Sequence, residues 1–177
     1  MAPQPLSTLQ AMARCFAILA FLLFMTGPTL GKAAFFSPAE LARKADAIAL
    51  VDLDEPEAVA ASDPSETPSS SAGYYRKKAQ ARVVERIRGD IPDRFLIYGD
   101  EAFICAQCTL SKGRFLAFLT KKGDFWVGTN WHLSLRPIKG DQIEWIATDS
   151  PTWDFVFRKK DEVVAEIRTG LAKVPNP

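Results

Sequence analysis

The 177-residue chain carries 22 Lys and Arg against 21 Asp and Glu, and 47% of its residues are hydrophobic. Because its formal net charge is only +1, it has no strong electrostatic attraction for nucleic acid or for an anionic membrane surface. It also contains no P-loop, no glycine-rich dinucleotide motif and no H-E-x-x-H zinc motif. We therefore expect no nucleic-acid partner, no metal and no cofactor.

The N-terminal segment has the pattern of a secretory signal. A single charge, Arg14, precedes an apolar run over residues 15–25, and a Gly-Pro pair at 27–28 interrupts any helix there. The apolar run has the length of a signal-peptide core and is shorter than the roughly 20 residues of a membrane span. An uncleaved anchor that extends backward through residues 11–13 is the alternative, and the charge at Arg14 argues against it.

Small residues after the apolar run indicate where a signal peptidase would cleave. Gly31 and Ala33 fit positions −3 and −1 of a signal-peptidase site, which predicts a signal peptide over residues 1–33. We expect a secreted or periplasmic protein with no stable membrane span after cleavage near Gly31 to Ala33. Residues 34–177 then form one domain that is long enough to bury a core.

The first predicted elements of this domain are a helix and a strand. Ser37 can cap a helix, Pro38 suits its first turn, and Glu40 can complete a capping box. The helix is expected to end near Asp46. The short apolar run over residues 47–53 predicts a buried strand.

Residues 54–73 are rich in Pro, Ser, Ala and acids, and they contain too little apolar surface to offset the entropy of ordering. They predict a flexible insertion, with a binding segment as the alternative because so long a loop is unusual inside a small domain.

From Tyr74 onward the pattern is mostly that of β-structure. The alternation of a long strand slips at Val83-Val84, which predicts a β-bulge. The further predicted elements are strands at 94–99, 132–138 and 142–147, a hairpin over 113–128, an ambiguous segment at 153–157 and a C-terminal helix over 159–173. The absence of βαβ alternation predicts a mainly antiparallel, OB-like β-barrel with flanking N-terminal and C-terminal α-helices.

Part of the chain resembles a family of modules in bacterial secreted proteins. The segments "ADAIALVDL", "VVERIRGDIPDRFLIYG" and "CTLSKGRFLAFL" match its spacing of apolar strand residues and turn glycines. The matching positions are Ala45, Asp46, Ile48, Val51, Val84, Ile87, Gly89, Pro92, Cys108, Leu110, Gly113, Leu116, Phe118 and Leu119. Over residues 45–120 the chain resembles the tissue-inhibitor-of-metalloproteinase or netrin-like module, which implies an OB-type barrel.

The resemblance does not extend to metalloproteinase inhibition. These inhibitors begin their mature chain with a Cys-x-Cys whose first Cys binds the zinc of the protease. The mature chain expected here begins close to Lys32–Phe35 and has no Cys at that point. At two further positions the chain also departs from the family pattern, with Arg88 in place of Lys and Phe115 in place of Tyr.

Cys105 and Cys108 form a C-x-x-C pair. In an oxidising compartment two such thiols usually pair, so a local disulfide is the favoured interpretation. A redox pair is less well supported, because Gly113 interrupts the helix that would lower the thiol pKa. A zinc site is an alternative, formed by Cys105, Cys108 and His132, the only His, with an Asp or Glu as the fourth ligand, or by the Cys pairs of two chains. Two free, buried thiols are a further alternative.

The C-terminal third concentrates aromatic residues. Trp126, Trp131 and His132 are candidates for a binding surface, because Trp is enriched at interfaces. The competing interpretation makes Trp126 a core residue of a strand. His132 with Ser134 and Asp141 has the residue types of a catalytic triad, but no nucleophile-elbow sequence is present.

The sequence therefore predicts an exported, non-catalytic binding or interaction module of unknown ligand, with a protein as the expected partner. The alternative is a periplasmic thiol–disulfide protein that uses Cys105 and Cys108.

Overall fold

The computed structural model describes residues 36–59, 75–101, 107–146 and 155–172. The predicted signal peptide over 1–33, residues 60–73 of the predicted insertion, and Cys105 lie outside the described residues. No helix within the described ranges is long and apolar enough to cross a membrane.

The first helix, α1, spans Pro38–Lys44, and its capping box is present as predicted. The Glu40 backbone N–H donates to Ser37 Oγ at 3.3 Å, and the Ser37 backbone N–H donates to Glu40 Oε2 at 2.9 Å. Leu41 and Ala42 form the buried face of the helix. The helix ends at Lys44, two residues before Asp46, because Ala45 already has extended backbone angles.

In the described part of the chain, nine strands follow in order. They are β1 (Ala47–Leu53), β2 (Glu57–Ala58), β3 (Tyr75–Arg88), β4 (Arg94–Glu101), β5 (Gly113–Lys122), β6 (Phe125–Gly128), β7 (Leu135–Lys139), β8 (Gln142–Ile146) and β9 (Phe155–Lys159). A second helix, α2, spans Lys160–Ala172. The ambiguous segment near residue 155 is thus a strand, and the predicted C-terminal helix is present.

Five of these strands close into a barrel. β1 pairs with β3, β3 with β4, β4 with β6, β6 with β5, and β5 pairs back with β1. Only the pairing of β4 with β6 is parallel among these five. The fold class expected from the sequence, an OB-like β-barrel with a helix at each end, is confirmed.

The remaining strands extend the sheet beyond the barrel. β7 pairs with β5, β8 with β7, and β9 with β8, so β9 is the last strand of the sheet. Polar contacts hold both helices to the barrel wall. Arg88 Nη1 donates to the Ala42 carbonyl at 2.6 Å, and Arg168 Nη2 donates to Glu85 Oε1 at 2.7 Å.

The long strand β3 contains the predicted bulge. Its register against β1 shifts where Leu50 pairs with Glu85 and Val51 pairs with Val83, which leaves Val84 unmatched. A second shift leaves Ile87 unmatched. Bulges increase the local twist of a strand, and this long strand needs that twist to pair with both of its barrel neighbours.

The barrel wall separates two hydrophobic clusters. On β1, Ala47, Ala49 and Val51 belong to the cluster inside the barrel, whereas Ile48 and Leu50 belong to the cluster under the two helices. This strand is buried on both faces, and for that reason its sequence is a continuous apolar run rather than an alternating one.

The structure corrects the sequence prediction at residues 132–138. Trp131–Leu133 form a 3₁₀ turn, and strand β7 begins only at Leu135. The turn is held by the Asn130 backbone N–H, which donates to Ser134 Oγ at 2.6 Å. Alternating apolar residues do not distinguish a strand from a short turn, because a turn can also bury every second side chain.

Candidate functional site

A cavity of about 300 Å³ lies where β3 begins, β4 ends and the loop after β6 leaves the barrel. We call it the Glu101 pocket. Its lining combines the charged Glu101 and Lys122, the polar Thr120, Thr129 and Asn130, the aromatic Phe36, Tyr75 and Trp131, and Val127 with Gly128. A concave site with aromatic walls and a few polar groups is the usual form of a binding pocket.

Glu101 is the buried acid of this pocket. Glu101 is only 4% exposed, and its Oε2 atom accepts a hydrogen bond from the Cys108 backbone N–H at 2.6 Å. Loss of solvation raises the pKa of Glu101, the negative charge of Asp100 adds to this, and the hydrogen bond from Cys108 opposes it. The carboxylate is therefore held in place by the main chain while its charge remains poorly solvated.

Two residues beside the pocket have backbone angles that non-glycine residues rarely adopt. Asp100 has φ 52° and Trp131 has φ 44°. The Asp100 conformation is fixed locally, because its backbone N–H donates to the Cys108 carbonyl at 2.9 Å and its Oδ2 accepts from the Leu110 N–H at 3.1 Å. A bulky Trp at positive φ is uncommon, and such strained positions concentrate at functional sites.

Asn130 links the pocket to the start of the folded domain. It is 4% exposed, and its Oδ1 atom accepts a hydrogen bond from the Phe36 backbone N–H at 2.8 Å. Its own backbone N–H donates to the fully buried Ser134. These bonds hold Phe36, Asn130 and Trp131 at one side of the pocket.

Cys108 lies behind the pocket and has no exposed surface. Two glycines make room for it: a Cβ at Gly128 would lie 2.8 Å from its Sγ, and a Cβ at Gly99 would lie 2.3 Å from its carbonyl oxygen. Burial raises the pKa of the thiol far above its usual value, and the charges of Glu101 and Asp100 raise it further. Because Cys105 is outside the described residues, the Cys105–Cys108 disulfide stays a prediction.

The three aromatic site candidates from the sequence lie in different places. Trp126 is 4% exposed and packs edge-on against Phe95 with ring centroids 6.0 Å apart, which places it in the core rather than on a binding surface. Trp131 is half-buried and lines the Glu101 pocket. His132 is also half-buried, but its ring lies edge-on to Phe155 at 6.5 Å and does not line the pocket.

Arg136 is a buried cation that the sequence analysis did not identify. It is 4% exposed, and its guanidinium carbon lies 4.2 Å from the centre of the Phe155 ring. Its nearest anion among the described residues is Glu144, at 3.8 Å from Nη2, and its Nε and Nη1 atoms have no hydrogen-bond partner there. Loss of solvation lowers the pKa of Arg136 to about 10, and Glu144 partly opposes that effect.

Arg136 also affects the only histidine of the chain. The pKa of His132 is lowered, mainly by loss of solvation and further by the positive charge of Arg136. The sequence signal for the buried Arg136 beside His132 was a charged residue inside the apolar run "HLSLRPI". Glu101 and Asn130 carried no comparable signal, because acids and amides are common at strand ends and in turns.

Within the four described ranges, no three His, Cys, Asp or Glu side chains come together in a way that could hold a metal ion. Comparison of the chain with protein-family models, curated proteins and solved structures gave no match.

Proposed function

We propose that this protein is an exported, non-catalytic binding module whose Glu101 pocket accepts a positively charged group, supplied by a basic side chain of a protein partner. The observation that supports this most directly is the combination of a buried carboxylate with aromatic walls in one open cavity. The proposal includes the predicted signal peptide and a secreted or periplasmic location.

The charge of the pocket favours a cation. Glu101 is 4% exposed, and a carboxylate that is removed from water gains more from a nearby cation than an exposed one does. Phe36, Tyr75 and Trp131 line the same cavity, and aromatic faces attract ammonium and guanidinium groups by about 0.5–2 kcal/mol. A volume of about 300 Å³ is enough for one long side chain.

Lys122 is a cation of this chain that also lines the pocket. It lines the pocket but is exposed, so its ammonium group sits on a flexible and well-hydrated stem. The attraction between an exposed Lys and a carboxylate contributes little, roughly 1 kcal/mol or less. A partner cation that is also enclosed by aromatic rings competes favourably with it.

The polar groups of the pocket are better suited to binding than to catalysis. The Thr120 and Thr129 hydroxyls lie 3.0 Å apart and form a hydrogen bond with each other. An activated nucleophile would instead be paired with a base. The netrin-like resemblance implies an OB-type barrel and carries over no zinc-binding Cys, so it does not support metalloproteinase inhibition.

The thiol–disulfide alternative has less support. Cys108 is fully buried and its thiol pKa is strongly raised, so Cys108 does not provide the attacking thiolate. Any exchange reaction would have to begin at Cys105.

The proposal is tested by NMR titration of the purified exported protein with three small probes: N-acetyl-arginine amide, N-acetyl-lysine amide and the uncharged N-acetyl-norleucine amide. We expect the two cationic probes to shift the Trp131 indole signal, with binding at least about tenfold weaker for norleucine. Glu101→Gln should abolish this preference, whereas Glu57→Gln, which changes an exposed acid, should not.

Binding should also weaken on acidification, as Glu101 becomes protonated through its raised pKa. Equal binding of norleucine amide, or an unchanged preference in Glu101→Gln, would show that the carboxylate does not select the ligand. Intact mass of the exported protein tests the remaining part of the proposal, because cleavage after Ala33 leaves a chain that begins at Ala34.

A further inference from the structure

The outer strand β9 exposes an unusual run of apolar side chains. Phe155 is 39% exposed, Val156 42% and Phe157 53%. Elsewhere in the described structure, the large exposed hydrophobic residues, Val84 and Leu96, occur singly. Single exposed apolar residues are ordinary, whereas a consecutive run on a sheet edge is a site for pairing with another strand.

The main chain of β9 is available for such pairing. In an antiparallel ladder, residue pairs that exchange hydrogen bonds alternate with pairs that do not. The Lys160 N–H donates to the Asp141 carbonyl at 2.7 Å, immediately beyond the pairing of Lys159 with Gln142. The alternation therefore turns the N–H and C=O groups of Phe155, Phe157 and Lys159 away from β8, and no described strand pairs with that edge.

We propose that two copies of this chain form a dimer by antiparallel pairing of β9 with β9 across a two-fold axis at Phe157. Phe157 is then opposite Phe157 of the second copy, and the two exchange both main-chain hydrogen bonds. On either side, Phe155 lies opposite Lys159 of the second copy. The two central rings come close enough for an aromatic pair.

The charge distribution along β9 selects this antiparallel arrangement with a second copy. The apolar residues 155–157 form the first half of the strand, and Arg158 and Lys159 form the second half. A parallel, in-register pairing would place Lys159 directly against Lys159, and like charges in that position are destabilising. The antiparallel pairing separates them and places each Lys against an aromatic ring, an attraction already made within the chain by Lys139 and Phe157 at 5.6 Å.

The dimer can be tested by analytical ultracentrifugation of the purified exported protein over a range of concentrations. We expect the wild-type protein to be dimeric at high concentration. Phe157→Lys should weaken the dimer roughly tenfold or more, since it loses the central aromatic pair and places two charges at the axis. Leu96→Lys is the matched control, because it puts the same charge at an exposed residue of the barrel and should leave the dimer intact.

Phe157→Pro gives an independent test. Of the main-chain hydrogen-bonding groups it removes only the N–H that points away from β8, and it also removes the aromatic ring, so the β8–β9 ladder should persist while the dimer is lost. Circular dichroism of each variant shows that the fold is retained. A wild-type protein that remains monomeric at every concentration would overturn the proposal, and so would a dimer that is insensitive to both substitutions at Phe157.

Discussion

Glu101 and Arg136 are both charged residues that are only 4% exposed, but their charges are compensated in different ways. Glu101 accepts a hydrogen bond from the Cys108 main chain, whereas two nitrogens of Arg136 have no partner among the described residues and its guanidinium lies against the Phe155 ring. Cys108 lies under the influence of both charges, which act on its pKa in opposite directions. The Glu101 carboxylate is held by a hydrogen bond from the main chain, whereas the Arg136 guanidinium is enclosed mainly by the packing of other side chains.

The difference shows why burial alone does not indicate a function. Glu101 borders an open cavity and has a fixed position, which are the requirements of a binding site. Arg136 is covered, and loss of solvation is the largest cause of its lowered pKa. A buried charge with few hydrogen bonds is expected to contribute little to stability or to reduce it.

The largest expected effect is that of removing the hydrogen-bond acceptor of Glu101. Glu101→Leu leaves the buried Cys108 N–H without its partner, which should lower the free energy of unfolding by about 1–3 kcal/mol. Glu101→Gln retains an oxygen at the same position and should lose less than half as much. Urea unfolding of the two variants measures both values. Equal losses would indicate that the charge, and not the acceptor, provides the support.

A smaller effect of opposite sign is expected at Arg136. Arg136→Met keeps an unbranched chain against Phe155 and removes a poorly compensated charge, so the free energy of unfolding should stay the same or rise by about 1 kcal/mol. Arg114→Met is a suitable control, because Arg114 is an exposed residue that forms two hydrogen bonds with Asp52. It should lose up to about 1 kcal/mol. A clear destabilisation by Arg136→Met would mean that its charge is compensated after all.

The smallest expected effect is a change in the titration of His132. As this is the only histidine, the Hε1 proton of its ring gives one titrating NMR signal, and we expect its midpoint below the usual 6.5. Arg136→Met should raise the midpoint only in part, because loss of solvation is the larger cause of the lowered pKa and remains. A return to the usual value would assign the whole effect to Arg136.

The lowered pKa of His132 also has a consequence for stability. Because the unfolded chain binds the proton more tightly than the folded one, the His132 contribution is fully present above pH 6.5 and is lost as the pH falls through the folded pKa. Substitution of His132 by Gln should remove that part of the pH dependence, which thermal unfolding at several pH values measures.

Local chemistry made much of the fold predictable from the sequence. The capping box at Ser37 and Glu40, the buried strand Ala47–Leu53 and the phase slip at Val84 each depend on residues within a few positions of one another. The 3₁₀ turn at Trp131–Leu133 was missed, because the Asn130–Ser134 bond that forms it leaves no trace in the apolar pattern.

The candidate site was predicted only in part. Trp131 was identified from its residue type, but Trp126 has the same chemistry and lies in the core. Glu101, Tyr75 and Asn130 line the pocket from β4, β3 and the loop after β6, so no short stretch of sequence contains the site. Their proximity results from closure of the barrel.

By itself, the sequence determined the class of the fold, because alternation, turn glycines and capping residues act over a few residues and need no distant partner. The tertiary structure alone decided which charges were buried, which of the Trp residues bordered a cavity, and which strand became the edge of the sheet. Those properties depend on segments far apart in the chain that meet only after the barrel has closed, and the exposure and pKa of each side chain follow from that meeting.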